Sequence, residues 1–146
     1  MSERTRAEIV IDATPEAILD VIGDVAAYPD WAAGTAAAEV TEAGAAPLRP
    51  RRAAFTVDAV LRDEFELEYD WEDSGVSWRL LRSQLLRSQT GSYRLSAEPA
   101  GGTRVAYELA VETAVPMLGM LRRKAERRII DTALAGLRDR VRDLAG

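Results

Sequence analysis

The residue types that most often do chemistry are thinly represented in this chain. It has no histidine and no cysteine. No His–Cys zinc site, Ser–His–Asp triad, imidazole proton shuttle or disulfide framework can therefore be assembled. Lys124 is the only lysine, and nearly all positive charge is carried by arginine. Acid–base work falls to Asp, Glu, Tyr, Lys or Arg, or to a bound ligand. The most conspicuous acidic set is Glu64, Glu66, Glu68, Asp70 and Glu72. A period of two puts all five on one face of a strand, opposite Phe65, Leu67, Tyr69 and Trp71. That places the carboxylates outside, as a solvated row rather than a catalytic pair. Arg82 shares the parity of Trp78 and Leu80. It is either an inward charge that holds an acidic or carbonyl-bearing ligand, or a side chain emerging at the rim.

A second set is aromatic. Phe65, Tyr69, Trp71, Trp78, Tyr93 and Tyr107 fall on the inward parity of their strands. Each can be plain core. As a set they suit a pocket, because buried Tyr and Trp need polar partners and pockets are mostly apolar with a few polar groups. A third set is basic: Arg122, Arg123, Lys124, Arg127 and Arg128. It reads as a partner-binding or anionic-membrane surface, or as a solvated face paired with acids such as Glu126 and Asp131. The segment Arg49-Pro50-Arg51-Arg52 has the same two readings.

The elements that must position these residues follow from periodicity. Residues 5–12 read as a strand with Ile9 and Ile11 on one face and Val10 on the other. Thr14 is a candidate N-cap, Pro15 a first helical residue and Glu16 a first-turn acid. Ala17, Ile18, Val21, Ile22 and Val25 make a helical stripe expected to end near Ala27, since Pro29 pushes Tyr28 out of the helical region. Tyr28-Pro29-Asp30-Trp31 forms a turn or a second short helix. Thr35 to Val40 is expected as a strand. The loop from Glu42 to Arg52, with Gly44, Pro47 and Pro50, is expected to be exposed and mobile.

Ala53 to Leu61 reads as a strand with Phe55, Val57, Ala59 and Leu61 on one side. Phe65 to Glu72 and Val76 to Ser83 form a hairpin around Asp73-Ser74-Gly75. A turn centred on Ser74-Gly75 sets Trp71 opposite Trp78 and Asp70 opposite Arg79. Leu-Leu-Arg-Ser-Gln occurs twice over residues 80–89; an odd period cannot keep one face, so a turn or bulge lies between the copies. Tyr93-Arg94-Leu95 begins a further strand that Pro99-Ala100-Gly101-Gly102 ends. Thr103 to Thr113 is the last strand, with Val105, Tyr107, Leu109 and Val111 inward. Pro116 to Leu144 is one long amphipathic helix. Its expected inward stripe is Leu118, Leu121, Ala125, Ile129, Ala133, Leu137, Val141 and Leu144, and Gly136 is expected where a neighbouring backbone comes close.

The order is one strand, a helix pair, about six antiparallel strands and a long helix. That is an α+β arrangement in which a curved antiparallel sheet wraps the terminal helix. At 146 residues the chain suits one domain. Its 47% hydrophobic content is ordinary for a globular protein. No apolar run suits a membrane span, and Met1 to Arg6 lacks the hydrophobic segment of an export signal, so the cytoplasm is the expected compartment. The net charge of −5 argues against nucleic acid as the main partner.

With these elements in place, the chain resembles the START-like superfamily, also called SRPBCC, Bet v 1-like or helix-grip, and in particular its polyketide cyclase/dehydrase-like bacterial members. The resemblance rests on Ile9 to Glu16, on Asp24-Val25-Ala26-Ala27-Tyr28-Pro29-Asp30-Trp31, on Val76-Ser77-Trp78, Gly91-Ser92-Tyr93 and Gly102-Thr103-Arg104-Val105, and on the terminal helix. It implies six to seven strands around the helix, two short helices after the first strand, and an elongated cavity for lipids, polyketides or isoprenoids. The cavity lining it implies runs from Trp31 near the mouth, or plugged against the helix pair, through Phe55, Phe65, Leu67, Tyr69 and Trp71. It continues through Trp78, Leu80, Arg82, Tyr93 and Tyr107 to Leu118, Leu121 and Ala125 on the helix. No metal or cofactor is implied. Three roles fit: binding of a hydrophobic small molecule; a cofactor-free polyketide cyclase or dehydratase; and a protein-interaction role like that of ribosome- or quinone-associated members.

Overall fold

The computed structural model describes residues 4–58, 62–114 and 118–145. The chain runs β1 (Thr5–Ile11), α1 (Pro15–Gly23), a 3₁₀ turn (Val25–Ala27), α2 (Tyr28–Trp31), β2 (Thr35–Glu42), β3 (Arg52–Asp58), β4 (Arg62–Glu72), β5 (Gly75–Ser83), β6 (Leu86–Ala97), β7 (Thr103–Thr113) and α3 (Gly119–Ala145). The strands form one seven-stranded antiparallel sheet in the order β1-β7-β6-β5-β4-β3-β2. This is the helix-grip arrangement. The parts of two expectations at Ala59, Leu61 and Pro116 lie outside the described residues.

Local chemistry accounts for the first turn of the chain. Thr14 caps α1 by accepting the Ala17 N–H at 3.1 Å, and Pro15 occupies the first helical turn. Thr103 is fully buried at the head of β7 and donates to the Ala13 carbonyl at 2.7 Å, tying the β1–α1 corner to the far strand. Gly101 and Gly102 supply the positive φ values, 106° and 81°, that the β6–β7 turn requires.

Two helical expectations are corrected. The α-helix stops at Gly23, not near Ala27, and its buried set includes Leu19, while Ala17 is exposed. Tyr28 keeps helical angles, φ −54° and ψ −40°, despite preceding a proline. Its ring packs on Trp31 and Phe55 and its hydroxyl donates to the Ile22 carbonyl, so tertiary packing outweighs the pre-proline bias.

The 42–52 loop is exposed as far as Leu48. Its second half is pinned rather than loose. Arg49 donates to Asp20 at 2.9 Å and stacks over Trp71, and Trp71 Nε1 donates to the Pro50 carbonyl at 2.7 Å.

The terminal helix holds the largest correction. Its sheet-facing residues are Glu126, Ile130, Leu134, Leu137 and Val141. In the first half of α3 the buried face is therefore displaced from the expected stripe. Leu118, Leu121, Ala125, Ile129 and Leu144 are all exposed. Only Leu137 and Val141 of that stripe are fully buried, and Ala133 is partly so. The reason is Glu126. Its carboxyl accepts the Thr5 hydroxyl at 2.6 Å and the Val111 N–H at 2.8 Å, and those bonds fix the rotation of the helix. Ile130, Leu134, Leu137 and Val141 then pack with Ile18, Ile22 and Val105 in the core, each burial stabilising by roughly 1.5–3 kcal/mol.

Candidate functional site

The inner face of β4 to β7 is an aromatic surface built by register. Tyr69 lies opposite Trp78, Trp78 opposite Gly91, and Tyr93 opposite Tyr107. The expected Trp71–Trp78 pairing is replaced because the hairpin turns at Asp73-Ser74, which brings Val76 to Trp71 and Arg79 to Glu68. The inward parity survives, since the register moves by an even number of residues. Tyr93 and Tyr107 meet edge to face at 4.6 Å, and Trp78 contacts both at 5.4 and 5.6 Å. Tyr69 joins Trp78 at 6.2 Å and Trp71 at 5.8 Å. Gly91 makes this possible: a Cβ there would stand 2.4 Å from the Trp78 ring. The indole N–H then reaches Gln89 Oε1 at 3.0 Å.

A second run continues the surface toward the helix pair. Trp31 packs on Tyr28, Tyr28 on Phe55, and Phe55 stacks on Phe65 at 5.3 Å. Every aromatic side chain of the protein belongs to one of these two runs.

The polar ends of this surface decide what it can do. The Tyr28 hydroxyl is satisfied by Ile22. The hydroxyls of Tyr69, Tyr93 and Tyr107 have no hydrogen-bond partner among the described residues. They are not sealed in protein either: the fully enclosed side-chain atoms without a partner, among the described residues, are Trp31 Nε1 and Arg122 Nε. Each of the three phenol oxygens therefore keeps a small accessible surface. Burial pushes all of their pKa values well above the ordinary tyrosine range, so they stay neutral hydrogen-bond donors near pH 7. As general bases they are ineffective there.

Among the described residues the two buried carboxyls, Asp63 and Glu126, are committed elsewhere. Asp63 accepts the Ser83 hydroxyl at 2.6 Å and the Gln84 N–H at 3.0 Å, which holds the β5–β6 turn. Glu126 is bound to Thr5 and Val111. Asp63 had no role in the sequence analysis, although it shares the parity of Phe65, and Glu126, expected on the solvated face beside the basic run, is instead fully buried, four residues before Ile130 on the packed face. The outer acidic row is ion-paired as a solvated face should be: Glu68 with Arg52 and Arg79, Glu66 with Arg82, Glu72 with Arg94. An open groove of about 740 Å³ crosses that outer face between Arg51, Arg79, Arg94 and Glu108; its Arg79 and Arg94 are already paired. A smaller concavity of about 400 Å³ lies beside Trp31, Gly34 and Asp58. Among the described residues no group of three His, Cys, Asp or Glu is placed to hold a metal ion.

Of the sequence-derived lining residues, Phe55, Leu67, Tyr69, Trp78, Tyr93 and Tyr107 are buried on the inner face. Trp31, Phe65, Trp71 and Leu80 are partly buried against it. Arg82 does not join them. A bulge at Leu81 lets Glu66 pair with Arg82 while Leu67 pairs with Leu80, which flips Arg82 outward. Its side chain is 63% exposed, and its Nε lies 3.4 Å from Glu66. Leu118, Leu121 and Ala125 are also exposed, for the helix-rotation reason given above.

Residues 11–138 match the protein family described as polyketide cyclase/dehydrase and lipid transport. No curated protein matches the sequence. Among solved structures, a START superfamily protein from Mycobacterium smegmatis superposes with a TM-score of 0.89 at 17% identity, over 97% of this chain and 98% of that one. An aromatase/cyclase from a Streptomyces species gives 0.75 at 15% identity, over 99% and 96%. A STAR-related lipid transfer protein from Xanthomonas axonopodis gives 0.69 at 17% identity, over 94% and 84%. At such identities these likenesses speak for the fold.

Proposed function

Because the chain belongs to the polyketide cyclase/dehydrase and lipid transport family, we propose that it binds a hydrophobic small molecule, lipid- or polyketide-like, against the inner aromatic face of its sheet. The observation that carries this reading is the set of Tyr69, Tyr93 and Tyr107 hydroxyls, on side chains buried among aromatic rings and without a partner among the described residues. Buried hydroxyls are normally hydrogen-bonded. A ligand with an apolar body and a carbonyl or hydroxyl oxygen satisfies them. The lining in this reading is Phe55, Phe65, Leu67, Tyr69, Trp78, Tyr93 and Tyr107, with Trp31, Trp71 and Leu80 at its margins.

Binding is preferred to catalysis on the same grounds. The phenols are neutral donors, and the inward carboxyls Asp63 and Glu126 are engaged by their own chain. A cyclase reading has one feature in its favour: neighbouring phenol donors suit polarising a carbonyl while the rings hold a reactive chain in a productive bend. The test is direct. Purified protein is extracted and its small molecules identified by mass spectrometry, and an environment-sensitive naphthalene sulfonate dye is titrated in. A co-purifying apolar compound, and dye binding weakened by Tyr93→Phe with Tyr107→Phe, are the expected results. A clean extract and no dye binding sink the proposal. Incubation with a poly-β-keto mimic separates the two readings: retention without conversion supports binding, turnover supports the cyclase.

A further inference from the structure

The first half of α3 carries a second apolar face that the described chain leaves uncovered. Leu118, Leu121 and Ile129 are 74%, 54% and 48% exposed. With the exposed Ala125 they recur at steps of three and four, so they form one stripe along the helix. The side that packs on the sheet is a different one, marked by Glu126, Ile130 and Leu134. The same turns thus show apolar residues in two directions, and only one of them is covered by the described residues.

The charge around the stripe is mostly positive, with the exposed Asp131 just beyond it paired to Arg127. Arg122, Arg123, Lys124, Arg127 and Arg128 all lie between Gly119 and Ile130, where Glu126 is the sole acid and is turned fully inward. Lys124 and Arg128, one helical turn apart, are exposed and ion-paired with nothing among the described residues. Neither feature helps the helix fold. Exposed leucines bury nothing, and cations in the opening turns oppose the helix dipole, with no first-turn acid to offset them. In a chain of net charge −5 this is a local reversal of sign.

We propose that this face docks the protein on an anionic lipid surface, with Leu118, Leu121 and Ile129 dipping into the headgroup boundary and Lys124 and Arg128 meeting the anionic headgroups. Charge complementarity selects this occupant: a second copy meeting the same face would set the same cations against each other. The helix lies on the surface rather than across it, since no helix among the described residues is long and apolar enough to span a membrane. The proposal goes beyond the interior site and stands whether or not that site is filled.

The experiment is co-sedimentation of the full chain with vesicles of phosphatidylglycerol and phosphatidylcholine in equal parts, against vesicles of phosphatidylcholine alone. Binding is expected only to the anionic vesicles, with release by added salt. Reversing two cations, Lys124→Glu with Arg128→Glu, should weaken it roughly tenfold or more, and Leu121→Asp should do the same. Both variants change exposed side chains, so unchanged thermal melts will show that the fold is intact. Binding that ignores lipid charge, no binding to either vesicle, or full binding by the Leu121→Asp variant overturns the proposal. A dimer in gel filtration that Leu121→Asp dissociates, with no vesicle binding, overturns it in favour of a second copy.

Discussion

The Glu126 carboxyl accepts the Val111 backbone N–H at 2.8 Å, so a helix side chain continues the hydrogen bonding of a strand edge. The β1–β7 ladder ends at the Thr5–Leu109 pair, and Val111 lies just past it. The same carboxyl takes the Thr5 hydroxyl at 2.6 Å. Replacing Glu126 by Ala orphans a buried N–H and a hydroxyl together. The expected loss is about 2–3 kcal/mol, read as a lower urea midpoint with an unchanged slope. Glu126→Gln keeps an acceptor and should lose markedly less.

Gly91 is the clearance under the Trp78 indole. Gly91→Ala puts a methyl group 2.4 Å from the ring. The ring must leave its Gln89 bond, so a cost of about 1–3 kcal/mol is expected. Tryptophan emission should shift together with the melting temperature.

Arg82 and Tyr93 separate the two faces of the sheet. Arg82 is an exposed outer cation beside Glu66, so Arg82→Ala should change stability by no more than about 0.5 kcal/mol and leave dye binding unchanged. Tyr93→Phe removes an inner donor and should weaken binding of an oxygen-bearing ligand by roughly fivefold, near 1 kcal/mol. Equal effects of the two variants in a dye titration contradict the assignment of the faces.

The four tyrosines give the protein an alkaline limit. Burial raises the pKa values of Tyr28, Tyr69, Tyr93 and Tyr107 above the ordinary value near 10. Below that value the phenols are neutral in both the folded and unfolded chain and add no pH dependence. Above it the unfolded chain ionises and the folded one does not, so stability falls as pH rises. A titration at 295 nm should show no early tyrosinate. The phenols should ionise together with loss of far-ultraviolet ellipticity, whereas gradual ionisation with the fold intact would show that they are not buried.

Gly136 is not held by sterics. A Cβ there would meet the Trp31 ring and carbonyl at ordinary contact distances of 3.6–3.7 Å. The neighbouring backbone expected from the sequence is present as the Trp31 carbonyl, but at an ordinary contact distance that admits a Cβ. Gly136→Ala should stabilise α3 by about 0.5–1 kcal/mol, seen as a higher melting temperature.

Much of the strand content was legible, although β6 begins at Leu86 and not at Tyr93 as the sequence suggested. Period-two alternation in Phe65 to Trp71 and in Val105 to Val111 marks the inner face whatever the pairing, because side chains alternate strictly along a strand. An even register error, as at Trp71 and Trp78, leaves that face intact. The Thr14-Pro15 start of α1 was equally plain, since a cap is made by neighbours in sequence. The inward-facing aromatics of β4 to β7 could be named for the same reason.

Arg82 and the terminal helix show where that legibility stops. One extra residue at Leu81 reverses the face of everything after it, and a bulge is stabilised by partners on the adjacent strand, not by its own sequence. In the first half of α3, apolar residues occur on two sides and periodicity cannot choose between them. The choice falls to a buried carboxyl that bonds Thr5 and Val111, residues 121 and 15 positions away in the chain. Sequence alone thus set which residues alternate, cap and turn, because those depend on neighbours within a few positions. Tertiary structure decided which side of the helix meets the sheet and left three phenols without partners among the described residues, because both depend on groups that only folding brings together.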